Sequence, residues 1–179
     1  MMQKKYFENW HLAKNETEFS VTEFEWALIR FNEAFSRYVL TTGLITVGEG
    51  IDLTYSEHVI LHVVRMLNRP KTVAIIAQQI NRHDIPNIQY SLRKLEAAGL
   101  ISKVKERGGK SYFYTVTPRG IEVTDSYYQV KQELIFRRLD DIAGAGEKFA
   151  QASRFLSLMT GIYEEAARET ASFTPSKPF

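Results

Sequence analysis

Cysteine is absent from all 179 residues. That excludes disulfides, thiolate metal sites and a cysteine-based peroxide sensor, and it fits a reducing cytoplasm. No apolar stretch approaches transmembrane length, and the opening residues MMQKKYFENWHL lack the apolar run of a signal peptide, so a cytoplasmic location without a membrane is expected. Catalytic signatures are missing too. There is no GxSxG, no phosphate-cradling glycine-rich loop and no cysteine nucleophile, so neither an enzyme nor a cofactor is expected. Internal repeats and low-complexity blocks are also lacking. Net charge is small, +2. With 44% hydrophobic and 25% charged residues the chain has globular composition, and its length suits one domain or a compact core with helical extensions.

What is present is mostly helical periodicity. Tyr6, Phe7, Trp10 and Phe19 are too many rings for an unstructured tail, so the first segment is expected to lie on the body or on a partner subunit. From Thr22 to about Leu40, Phe24, Ala27, Leu28, Phe31, Ala34, Phe35 and Tyr38 form one stripe, with Thr22 as the expected cap. Gly43, Gly48 and Gly50 then predict a loop. Thr54-Tyr55-Ser56-Glu57 has the form of a capping box. The helix after it, to about Asn68, is apolar nearly all round (Val59, Ile60, Leu61, Val63, Val64, Met66, Leu67) and should be central and buried. Thr72 can cap a helix over Val73 to Ile80. Helices are also expected from Pro118 to about Asp141 and from about Glu147 to Thr170, separated by Gly144-Ala145-Gly146.

Between these lies Asp84 to Gly120. In Ile85 to Ala98, Ile88, Leu92 and Leu95 repeat at helical spacing and face a core, while Asn87, Gln89, Tyr90, Arg93 and Lys94 make the free face. Asp84 or Ile85 caps this helix, Pro86 fits its first turn, and Gly99 ends it. Ile101 to Lys105 and Ser111 to Val116 alternate as strands around Gly108-Gly109, with Val104, Tyr112 and Tyr114 as candidates for one side. Between Arg93 and Arg119 the cations Arg93, Lys94, Lys103, Lys105, Arg107, Lys110 and Arg119 outnumber the anions Glu96 and Glu106 by five, against +2 for the whole chain. A helix presenting amides and a cation, followed by a cationic hairpin, has the chemistry to read a DNA groove and grip flanking phosphates.

The segment LRKLEAAGLI (Leu92 to Ile101) and Val116-Thr117-x-x-Gly120, in this order after two helices and RHDIPNIQY, resemble the winged helix-turn-helix of the MarR (multiple antibiotic resistance regulator) family. The likeness covers about residues 50 to 125 well and the flanking helices in outline. It implies a mainly α fold with a small β-hairpin wing, divided into an N-terminal segment and dimerisation helix (1–50), a winged helix-turn-helix unit (51–120) and C-terminal dimerisation helices (121–179). It also implies a homodimer on double-stranded DNA with a pseudo-palindromic operator, and it leaves open a small-molecule effector.

The expected DNA-binding residues are Asn87, Gln89, Tyr90, Arg93, Lys94, Lys105, Arg107 and Lys110. Arginine can bond guanine through two hydrogen bonds, and Asn or Gln can read adenine. The family's wing usually carries Asp-x-Arg, in which the aspartate braces the arginine, and Glu106-Arg107-Gly108-Gly109-Lys110 departs from that pattern. His58 and His62 have a spacing compatible with metal, but in HVILH on a buried helix they are read as packed or hydrogen-bonded, and no metal site is expected. Phe31, Phe35, Tyr38, Tyr127 and Tyr128 are read as core or dimer interface rather than ligand pocket. The leading function is a dimeric, sequence-specific transcriptional regulator, most simply a repressor modulated by a ligand. The alternative is a winged-helix module for protein–protein assembly without specific DNA binding, whose signature would be an apolar recognition face.

Overall fold

The computed structural model describes residues 13–105 and 111–172. Tyr6, Phe7, Trp10, Arg107 and Lys110 lie outside the described residues. The chain divides into two units at Val130 and Lys131.

The first unit opens with α1, Glu16–Thr46. Its cap is Asn15, whose side chain accepts from Glu18 N at 2.9 Å. Thr22 is not the cap: it sits inside α1 and donates its hydroxyl to the Glu18 carbonyl at 3.0 Å. Glu16 and Glu18 favour the positive end of the helix dipole, so this polar stretch is helical without an apolar stripe. At its other end α1 continues through Gly43 instead of breaking there. A side chain at 43 would place its Cβ 2.1 Å from His58 Nε2, so glycine here admits the histidine ring. The loop begins later, where Gly48 and Gly50 take φ of 91° and 83°.

α2, Tyr55–Arg65, begins with the expected capping box: Glu57 N donates to Thr54 Oγ1 at 3.3 Å, and Thr54 N to Glu57 Oε2 at 2.8 Å. Ile60, Leu61, Val63 and Val64 are buried, but the apolar run is not buried to its end. Met66–Asn68 is a 3₁₀ turn, with Leu67 and Asn68 in left-handed conformations (φ 59° and 48°), and it leaves Met66 and Leu67 48% and 73% exposed. The turn into Arg69-Pro70 carries these side chains outward.

α3 (Val73–Gln79, capped by Thr72) and α4 (Ile85–Ala97) complete the helical part of the core. Ile76, Ile88, Leu92, Leu95 and Leu100 are fully buried with Ile60 and Leu61. Gly99 takes the left-handed conformation expected after α4, φ 70°. β1 (Ile101–Lys105) pairs antiparallel with β2 (Tyr112–Val116). In this register Val104 lies opposite Phe113, so it does not share a side with Tyr112 and Tyr114, which stand opposite Lys105 and Lys103. Lys71 adds a short bridge, exchanging backbone bonds of 3.0 and 2.8 Å with Tyr114. α5, Pro118–Lys131, follows Thr117, whose Oγ1 accepts from Gly120 N at 3.1 Å.

Rings gather where α1, α2 and α5 meet. Phe35 meets Tyr55 edge-on at 6.2 Å, and Tyr127 lies 5.8 Å from Tyr38 and 4.5 Å from His62. Tyr127 is buried, whereas Phe31 and Tyr128 are exposed.

The second unit holds a π-helical segment, Gln132–Phe136, a helical turn, Arg137–Leu139, and α6, Ala145–Ser172. The stretch to Asp141 is therefore not one regular α-helix. No residue of α6 is buried, and Phe149, Phe155, Leu158 and Ile162 are about half exposed or more. No described helix is long and apolar enough to cross a membrane.

His58 gives a pH expectation. Burial pulls its pKa below the ordinary 6.5, with Glu57 and then Asp52 opposing. The folded state therefore prefers the neutral ring, and its contribution is complete above about pH 6.5 and shrinks as the pH falls below that. Urea unfolding at pH 7.5 and 5.5 should show a larger acid loss for the parent than for His58→Gln.

Candidate nucleic-acid interface

α4 presents Asn87, Gln89, Tyr90 and Arg93 to solvent, as its core-facing Ile88, Leu92 and Leu95 require. The Arg93 guanidinium lies 5.9 Å from the Tyr90 ring centroid, so one side chain helps order the other. Lys94 is placed differently. Its ammonium donates to Glu57 Oε2 at 3.0 Å, and that carboxylate's side chain is only 2% exposed. A longer contact, 3.4 Å, reaches the Asp52 carbonyl. The hydrogen bond to Glu57 raises the Lys94 pKa. Lys94 thus fastens α4 to the start of α2. Nothing local signals this, since its partner stands 37 positions earlier.

The hairpin contributes from the other side. Lys105 is exposed opposite Tyr112, and the Lys103 ammonium sits 4.1 Å from the Tyr112 ring centroid. Lys103 entered the sequence reading only as charge. Together Gln89, Arg93, Lys103, Tyr112 and Thr72 line an open recess of about 390 Å³ between α4, the hairpin and the start of α3. Two cations, an amide, a phenol and a hydroxyl converge there, a donor-rich set suited to phosphate and base edges. Arg119 faces elsewhere, donating to the Ala98 carbonyl at 3.3 Å.

At the start of α4 the sequence reading missed a small network. Asp84 occupies the cap position but makes no capping bond with its side chain. Its carboxylate receives Arg82 Nε at 2.8 Å, Arg82 Nη2, and Asn87 Nδ2 at 3.1 Å. Arg82 Nη1 also reaches Ser56 Oγ on α2 at 2.6 Å. Hydrogen bonds from Arg82 and then Asn87 hold the Asp84 pKa down at about 2. His58 packs on Gly43 and His62 on Tyr127, and among the described residues no three His, Asp or Glu side chains cluster as metal ligands.

A helix, a turn, a second helix with an amide- and cation-bearing free face, and a basic hairpin span the residues matched by the winged helix DNA-binding domain family, 53–120. Residues 53–120 have the winged-helix fold. Solved structures extend the likeness beyond it. AbfR of Staphylococcus epidermidis superposes with a TM-score of 0.65 at 15% identity, over 83% of this chain and 97% of that one. A MarR family transcription regulator gives 0.64 at 15% identity, over 87% and 99%. S. aureus MepR in its DNA-binding conformation gives 0.62 at 16% identity, over 78% and 98%. The winged helix and its flanking helices therefore have the MarR-family regulator fold. No curated protein matches the sequence.

Proposed function

We propose that the chain is a dimeric, sequence-specific transcription regulator of the MarR type, acting as a repressor. The observation that carries this reading is the exposed face of α4, where Asn87, Gln89, Tyr90 and Arg93 stand beside the cationic hairpin. An apolar face would have favoured a protein-binding module. Arg93 reads guanine, Asn87 and Gln89 read adenine, and Lys105, Arg107 and Lys110 supply phosphate attraction. Lys94 supports the orientation of α4 through Glu57. A reduced AbfR structure bound to DNA shares the fold, with a TM-score of 0.64 at 16% identity over 82% of this chain and 99% of that one.

The dimer is supported by apolar surface. Phe31, Leu44 and Ile45 of α1 and Leu158 of α6 are each more than 60% exposed. Apolar surface of this extent is normally covered by a partner. A two-fold pair sets two recognition helices one helical turn of DNA apart, about 34–36 Å, on a pseudo-palindromic operator. A ligand that changes this spacing lowers affinity without touching a DNA contact.

The test is binding to the chain's own upstream DNA against scrambled DNA over a salt series. Tight, salt-dependent binding that favours the upstream fragment is expected. Equal and weak binding to both would favour the protein-assembly module. In the same assay Arg93→Ala should cost about 1–3 kcal/mol and blur preference at one base pair. Lys110→Ala should weaken binding to every sequence and flatten the salt slope by about one.

A further inference from the structure

The network at the start of α4 has a chemical oddity. An aspartate at a helix cap ordinarily accepts a backbone N–H of the first turn. Asp84 instead spends its carboxylate on side chains, and one of them is Asn87 on the exposed face. An ionised carboxylate only accepts hydrogen bonds, so the Asn87 amide must turn its nitrogen toward Asp84. The reverse orientation would set amide oxygen against carboxylate oxygen. One amide orientation is thereby selected. Its second N–H and its oxygen stay outside the Asp84 contact, and these are the donor and acceptor that match N7 and N6–H of adenine.

The carboxylate is itself held. Arg82 grips it through two nitrogens and is tied by Nη1 to Ser56 of α2, a helix anchored in the core. The guanidinium also neutralises a negative charge that would otherwise repel phosphate. We propose that Asp84, braced by Arg82 and Ser56, is a positioning residue that fixes the Asn87 amide for reading one adenine and so sets the preference at one base pair of the operator. This rests on the reading that α4 enters the major groove.

The experiment begins with selection of preferred duplexes from a random pool by the full chain. Binding of the parent, Asn87→Ala and Asp84→Ala to the selected duplex and its single-base variants follows. The parent should prefer adenine at one position by about tenfold, the size of one bidentate contact. Asn87→Ala and Asp84→Ala should both bring that ratio close to one. Binding of Asp84→Ala to scrambled DNA should hold or rise, because Arg82 is released from its partner. A merely structural role predicts the opposite pattern, with all sequences weakened equally and the ratio intact, and that result overturns the inference. Should Asp84→Ala not fold, the near-isosteric Asp84→Asn carries the same test, since an amide partner no longer dictates which way Asn87 turns. Failure of the parent to enrich any sequence would defeat the DNA-reading proposal itself, and this inference with it. Retained preference at the Asn87-dependent position in the Asp84 variants would defeat the inference alone.

Discussion

Gly120→Ala should lower stability by about 3 kcal/mol, at the top of the range for overpacking a filled site. A Cβ at 120 would lie 2.0 Å from the Leu100 carbonyl oxygen and 2.7 Å from Val116 Cγ2. The first neighbour is backbone, and it is not free to swing aside. Leu100 O already accepts from Thr117 N at 3.1 Å, and Thr117 Oγ1 donates to Gly99 O at 2.7 Å. The start of α5 is therefore pinned against the end of α4 and the start of β1. Making room means separating α5 from α4 and the hairpin together. Urea unfolding should show the midpoint falling with little change in its slope. DNA affinity at a temperature where the variant is still folded should fall as well. A variant as stable as the parent would mean that this junction is looser than its contacts indicate.

The Thr117 cap of α5 was legible in the sequence, and the reason is distance along the chain, whereas its bond to Gly99, 18 positions earlier, was not. Thr117 and Gly120 act within one helical turn, as do Thr54 with Glu57 and Thr72 with Ile75. The spacing of Ile88, Leu92 and Leu95 likewise fixed which face of α4 is free. Features that depend on packing between distant segments were not legible. Gly43 reads as a loop signal until the His58 ring is seen against it. Lys94 reads as one more cation on a polar face until Glu57 is found beneath it. Asp84 was missed for another reason: Arg82 and Asn87 are near it in sequence, but spacing does not say whether its carboxylate takes the backbone N–H groups of a cap or these side chains. Val104 alternates correctly within β1, but its partner depends on the register set by the hairpin connection. Arg107 and Lys110 keep the roles the resemblance gives them, as part of the proposal.

Lys71 was also missed, and its replacement by methionine should cost about 2–4 kcal/mol. The ammonium donates to the carbonyls of Val64 at 3.2 Å, Arg69 at 3.0 Å and Met66. Its three N–H groups thus meet carbonyls from the last turn of α2 and from the connection after it, and the residue is 3% exposed. Burial, and secondarily Arg69, pull the Lys71 pKa below its ordinary value. The charge is held against that desolvation by its carbonyl partners. Methionine has similar reach but no donor, and a buried carbonyl left unsatisfied costs about 1–3 kcal/mol, less where water can enter. The same ammonium closes a turn in which Leu67 and Asn68 are left-handed, a conformation uncommon for a residue other than glycine. Leu67→Gly should relieve that strain and recover part of the loss in the Lys71→Met background. Because the Lys71 backbone pairs with Tyr114, the damage should also spread into the hairpin. Amide exchange at Tyr114 should therefore quicken more than at Leu92 in the core of α4. An unchanged unfolding midpoint would show that water replaces the ammonium at these carbonyls. Equal quickening at Tyr114 and Leu92 would place the loss in global unfolding and not in the attachment of the wing.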